Sequence, residues 1–136
     1  MYENNPNKYY SDAEIERVLV KTLSYLVSEW GIDIEATLKD NLKGSCLCYA
    51  PKNGKCKLVF GLPCLRSFMR TQDKFDRQAN INWRGLNAVV STAAHEYAHA
   101  LVYDLDMDVR GIAHGYDWWH FYTRLLNDLI KEFTWD

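Results

Sequence analysis

Between Ile15 and Trp30 apolar side chains return every third or fourth position: Ile15, Val18, Leu19, Leu23, Leu26, Val27 and Trp30, with Thr22 on the same stripe. That spacing predicts an amphipathic helix. "SDAE" at 11–14 has the Ser-x-x-Glu form of a capping box and Gly31 closes the stripe, so both ends are marked. From residue 32 the rhythm changes to alternation, with Ile32, Ile34, Ala36 and Leu38 on one side, which predicts a strand. In "GSCLCYAPKNGKCKLVFG", residues 44–61, Asn53-Gly54 is a type I′ turn signal between two short strands and predicts a hairpin. A two-residue turn there places Leu47 and Tyr49 on one sheet face with Cys56, Leu58 and Phe60. Cys46 and Cys48 then lie on the other face with Lys57 and Val59.

The second half reads as helical. A short helix is expected over 62–72 after Pro63, then a polar connection, "TQDKFDRQANIN". A long helix is expected from near Asn82 to about Asp104, carrying Leu86, Val89, Val90, Ala93, Ala94, Tyr97, Ala98, Leu101 and Val102. An acidic turn, "DLDMDVRG", leads to a last helix marked by Trp118, Phe121, Leu125, Leu129 and Phe133. The elements add up to an α+β domain, a small antiparallel sheet with a hairpin packed against an N-terminal helix and two further long helices. Residues 1–10 are expected to form a flexible arm and 11–136 the domain.

Composition changes this picture little. A chain of 136 residues, 48% hydrophobic, can bury one sizeable core without disulfides. A net charge of -2, from 16 basic and 18 acidic residues, gives no bulk attraction to nucleic acid or to an anionic membrane. The N-terminus lacks a basic start followed by an apolar run, and no stretch nears the ~18 apolar residues of a membrane span. The expectation is an intracellular monomer, cytoplasmic or nuclear, with no membrane contact. The four cysteines, 46, 48, 56 and 64, lack the C-x2-C pairing of structural zinc sites, so reduced thiols are expected.

The chemistry concentrates in "HEYAH", residues 95–99, inside the long helix. Residues four apart on a helix project from one face about 5–6 Å apart, so His95 and His99 can direct ring nitrogens at one metal ion. Glu96 stands one position round, where a general base can take a proton from a water acidified by zinc. The bland alternative is a core helix with two hydrogen-bonded histidines. A catalytic zinc site usually needs a third protein ligand. Val102 and Leu105 exclude the metzincin pattern, and Glu132 is poorly placed near the chain end. Asp104, Asp106 and Asp108 read as a solvated acidic turn. His114 is the best candidate, since the turn is long enough to bring the chain back to the metal.

"HEYAHA", followed fifteen residues after His99 by His114 in "HGYDWWHFY", resembles the SprT-like metallopeptidases. Their pattern is an H-E-x-x-H helix followed by H-G-x-x-aromatic at the next helix, and His114, Gly115 and Trp118 fit it. The likeness covers roughly residues 11 to 133, more loosely in the N-terminal half. It lacks the C-terminal zinc ribbon of many bacterial relatives, so a bare catalytic domain is expected. The resemblance implies a Zn2+-dependent endopeptidase with His95, His99 and His114 as ligands and Glu96 as base. It also implies protein substrates bound or crosslinked to DNA. A local excess of positive charge, Arg66, Arg70, Lys74, Arg77 and Arg84 against Asp73 and Asp76, is the candidate DNA contact. His120, Tyr103, Tyr116 and Tyr122 are candidates, not distinguished by sequence, for stabilising the oxyanion. Two rival functions stay open: a non-catalytic zinc-fold binding or inhibitory module, and a metal-dependent hydrolase of non-peptide substrates.

Overall fold

The computed structural model describes residues 10–40, 46–52, 54–70, 74–77, 79–83, 85–105 and 114–132. Helix α1 spans Asp12–Trp30 and starts as the capping box requires. The Ser11 hydroxyl accepts from the Glu14 amide at 3.2 Å, and the Glu14 carboxylate accepts from the Ser11 amide at 3.2 Å. Gly31, at φ 78°, ends the helix in the left-handed region, and its amide donates to the Val27 carbonyl at 2.9 Å. Ile15, Val18, Leu19, Thr22, Leu23 and Leu26 are buried, the stripe read from the sequence. Of the arm expected over 1–10, only Tyr10 lies among the described residues, and it belongs to the core at 2% exposure.

Strands β1 (Ile34–Lys39), β2 (Cys46–Lys52) and β3 (Lys55–Gly61) form one sheet in the order β1-β3-β2. The sheet is mixed, a correction to the antiparallel one expected: β1 runs parallel to β3, while β2 pairs with β3 as the hairpin. In β3 consecutive Leu58, Val59 and Phe60 are all buried, so both faces of this strand are covered, as is common where strands pair in parallel. The alternation of β1 reveals a strand but not its neighbour.

The hairpin turns where Asn53-Gly54 predicts it, with Lys52 opposite Lys55, but its register then slips between Tyr49 and Lys52. Pro51 in this stretch has no amide to give the ladder, and a bulge on an edge strand accommodates it. The extra residue reverses every face beyond it. Cys46 and Cys48 therefore pair with Phe60 and Leu58 and turn inward with Cys56, whereas Leu47 and Tyr49 are exposed. The face assignment made from a regular two-residue hairpin is wrong for this reason.

Helix α2 (Leu62–Arg70) follows directly. The segment expected to be a polar connection contains a two-stranded ribbon, β4 (Lys74–Asp76) with β5 (Ile81–Trp83). Strands of three residues are too short to show alternation. Because β5 uses Ile81–Trp83, helix α3 (Leu86–Asp104) starts later than expected, entered through Gly85 at φ 55°. Residues 86 to 94 are buried without a break, so α3 is the central helix, covered by α1, α2, β2, β3 and α4 (Tyr116–Glu132). Trp30 ties the end of α1 to α4, donating to Asp128 at 3.3 Å and meeting the Phe121 ring edge-on. Among the described residues no helix is long and apolar enough to cross a membrane. The acidic turn lies outside the described residues beyond Leu105.

Candidate metal centre

Helical spacing sorts HEYAH onto different sides of α3. Tyr97 is fully buried and points at the link between α1 and β1: its hydroxyl donates to the Ile32 carbonyl at 2.7 Å and accepts from the Ile32 amide at 3.2 Å. Burial pushes its pKa up to about 12, so it is a neutral structural clamp. His95 and His99 face the other way, towards His114 just ahead of α4.

The three imidazoles converge on one point. Nε2 of His114 lies 3.0 Å from Nε2 of His95 and 3.2 Å from Nε2 of His99. Three nitrogens ~2.0–2.1 Å from a tetrahedral ion would stand roughly 3.3–3.4 Å apart, so the spacing fits a small metal ion. Among the described residues this trio is the one group of at least three such side chains close enough to hold an ion.

The electrostatics suit ligation. Burial, and then the neighbouring His114, lower the His99 pKa to about 4, and burial lowers that of His114. Both rings are therefore neutral at pH 7, the form that binds metal. Glu96, 5% exposed, stands beside the trio with Oε2 3.9 Å from Nε2 of His95. Its charge also bears on two thiols, those of Cys46 and Cys48. Hydrogen bonding to Cys64, then burial, raises the pKa of Cys46, and burial, then the neighbouring Cys56 and the Glu96 charge, raises that of Cys48. None of the four cysteines is joined in a disulfide among the described residues, although the register used to separate Cys56 from Cys46 and Cys48 does not hold.

One tryptophan backs the whole trio. Trp118, buried in the first turn of α4, places its ring 4.7, 5.4 and 4.6 Å from those of His95, His99 and His114. Its indole N–H donates to the His95 carbonyl at 3.1 Å. Behind it Tyr122 stacks at 4.8 Å and donates its hydroxyl to Asp76 of β4. Trp118 thus faces the core while Trp119, 43% exposed, does not.

The remaining candidates separate cleanly. Tyr122 is fully buried and its hydroxyl is already donated to Asp76, so it is no oxyanion donor. Tyr116 is 78% exposed and stacks on His120 along the helix, away from the core. Tyr103 stays half-buried on α3, one turn past His99. Asp104 is exposed, and its charge bears on Cys56 and Tyr97, on the side of α3 away from the histidines. Arg66 is occupied: its guanidinium grips Asp12 at 2.9 and 2.6 Å and Asp40 at 3.1 Å. Arg77 is exposed, while Arg84 and the side chains of Arg70, Lys74 and Glu132 lie outside the described residues. Asp76, counted from sequence as a charge offsetting the basic segment, is instead a buried acceptor; only "D-x-x-A" and the nearby Trp83 hinted at a local turn.

Fold and site together define an α+β domain with a three-histidine centre able to hold a metal ion. No family model, curated protein or solved structure matches this chain.

Proposed function

We propose that the chain is a zinc-dependent endopeptidase of the SprT-like kind, with His95, His99 and His114 as ligands and Glu96 as general base. The observation that carries this reading is the convergence of three Nε2 atoms at 3.0–3.2 Å with a buried carboxylate alongside. Three imidazoles suit zinc, and a three-ligand centre leaves a fourth position for reactants, as catalytic rather than structural sites do. Zinc bound there supplies Lewis acidity, which acidifies water and polarises a carbonyl. Glu96 moves the proton: its carboxylate takes one from the attacking water and passes it to the leaving amine nitrogen. Trp118, holding the His95 carbonyl and packed on all three rings, orients the ligands.

The test is metal analysis with digestion of casein or histone. About one zinc per chain is expected, lost in His95→Ala, His99→Ala or His114→Ala. Glu96→Gln is expected to keep the metal and lose about 10²–10⁴-fold in turnover. Full zinc binding by His114→Ala would remove the third ligand. Zinc uptake without proteolysis would favour a binding module or a hydrolase of other substrates.

We propose further that DNA-bound proteins are substrates, on the resemblance and the basic segment. With Arg66 held by two aspartates, Arg70, Lys74, Arg77 and Arg84 are the contact. Single-stranded DNA should then stimulate cleavage of a DNA-binding protein, and the gain should fade with salt and in Arg70→Glu with Arg77→Glu. Equal activity with and without DNA would limit the reading to a general peptidase.

A further inference from the structure

Asp76 is a carboxylate at a place where an apolar side chain would pack. It is 4% exposed, and a buried carboxylate is costly unless several donors meet it. Here they do. Oδ2 accepts from the Trp83 indole at 3.1 Å and from the Tyr122 hydroxyl, and Oδ1 accepts from the Ala79 amide at 3.2 Å. Ser91 and Trp83 also stand within hydrogen-bonding reach of the Tyr122 hydroxyl. Four elements thus meet at one buried point: β4 through Asp76, β5 through Trp83, α3 through Ser91 and α4 through Tyr122.

The position of this point matters more than its content. Ser91 is one turn ahead of His95 on α3. Tyr122 is two turns beyond His114, one turn beyond Trp118, and its ring lies 5.7 Å from that of His95 and 4.8 Å from that of Trp118. The two histidines of α3 are fixed to each other by the helix itself, but His114 reaches them from a separate element. Its distance from them depends on how α4 sits on α3.

We propose that Asp76 and Tyr122 are positioning residues for the metal centre: the hydroxyl-to-carboxylate bond seats α4 against the ribbon and α3, and so sets where His114 and Trp118 stand relative to His95 and His99. This rests on the reading of the trio as a metal centre. Tyr122→Phe keeps the ring that packs on Trp118 and His95 and removes only the bond.

The experiment is zinc affinity, by competition with a chromophoric chelator at a temperature where each protein is folded, alongside thermal unfolding of the metal-free forms. Tyr122→Phe is expected to bind zinc about tenfold more weakly, in the range for residues that orient metal ligands. Leu23→Ala, a core change on α1 beside Ile34 and Ala36 of β1, is expected to lower the unfolding temperature and leave zinc affinity as in wild type. Asp76→Asn, which keeps an acceptor for the tyrosine, is expected to lie between wild type and Tyr122→Phe; it also serves as the variant to compare with Leu23→Ala if Tyr122→Phe does not fold. Loss of stability with wild-type affinity in both Tyr122→Phe and Asp76→Asn would overturn the proposal, leaving a purely structural network. Wild-type protein that takes up no zinc would remove the metal reading itself, and the proposal with it.

Discussion

His99 shows how one burial decision shapes the chemistry. In the metal-free protein its pKa is about 4, against a usual 6.5 in the unfolded chain. Above pH 6.5 neither state holds the proton, and the group is silent. Between 6.5 and 4 the unfolded chain takes up a proton that the folded chain refuses, so stability falls as pH falls. Chelator-treated protein is therefore expected to lose denaturant midpoint steadily across that window, and His99→Gln to flatten the slope; a slope unchanged by the substitution would put the titration elsewhere. At pH 7 the same depression leaves the ring free to bind metal with no proton to displace. The sequence marked His95, Glu96 and His99 through helical spacing alone, but a residue's surroundings are tertiary. Nothing in the order of residues told Tyr122, held by Asp76, from Tyr116, open to solvent.

Among the elements, α1 was legible to within a residue at each end because its signals are local. The capping box and Gly31 act on backbone groups a few positions away. At Gly31 an added Cβ would meet nothing within 4 Å, so Gly31→Ala isolates the conformational cost of φ 78°. That cost is about 1–2 kcal/mol, to be read as a drop in unfolding free energy in urea. Ser11→Ala should cost about 1 kcal/mol through loss of the cap. A neutral Gly31→Ala would mean that the helix end rearranges. The sheet was less legible. Asn53-Gly54 marked the turn, but one bulge near Pro51 moved Cys46 and Cys48 from the outer face to the inner one, beside Glu96. The β4–β5 ribbon escaped notice because its identity depends on Asp76 finding Trp83 and Tyr122 rather than on any periodicity.

For the molecule as a whole, the centre draws two ligands from α3 and one from the segment entering α4, across fifteen residues. An ion bound to the folded state alone therefore holds separate elements together, and its binding adds to folding stability. At a free zinc concentration one hundred times Kd the gain should be about 2.7 kcal/mol, seen as a higher unfolding temperature than in chelator. His114→Ala should lose most of that difference while folding without metal as wild type does. An unfolding temperature indifferent to zinc would mean that the ion, if bound, holds to the unfolded chain equally well. The α3–α4 seat on which this depends is the one that Asp76 and Tyr122 secure.

By itself the sequence determined what short-range physics controls: the ends and buried stripe of α1, the strand rhythm of β1, the turn at Asn53-Gly54, and the helical pairing of His95 with His99 beside Glu96. It also singled out His114, because fifteen residues suffice for the chain to return and the residues around it resemble a known motif. Tertiary structure decided what depends on partners distant in the chain. It set β1 parallel to β3, slipped the hairpin register and occupied Arg66 with Asp12 and Asp40. It also made a buried acceptor of Asp76, which composition counts only as a charge. Periodicity records which face of an element is apolar, whereas pairing, register and the neighbours of a charge are chosen by the packing of all elements at once.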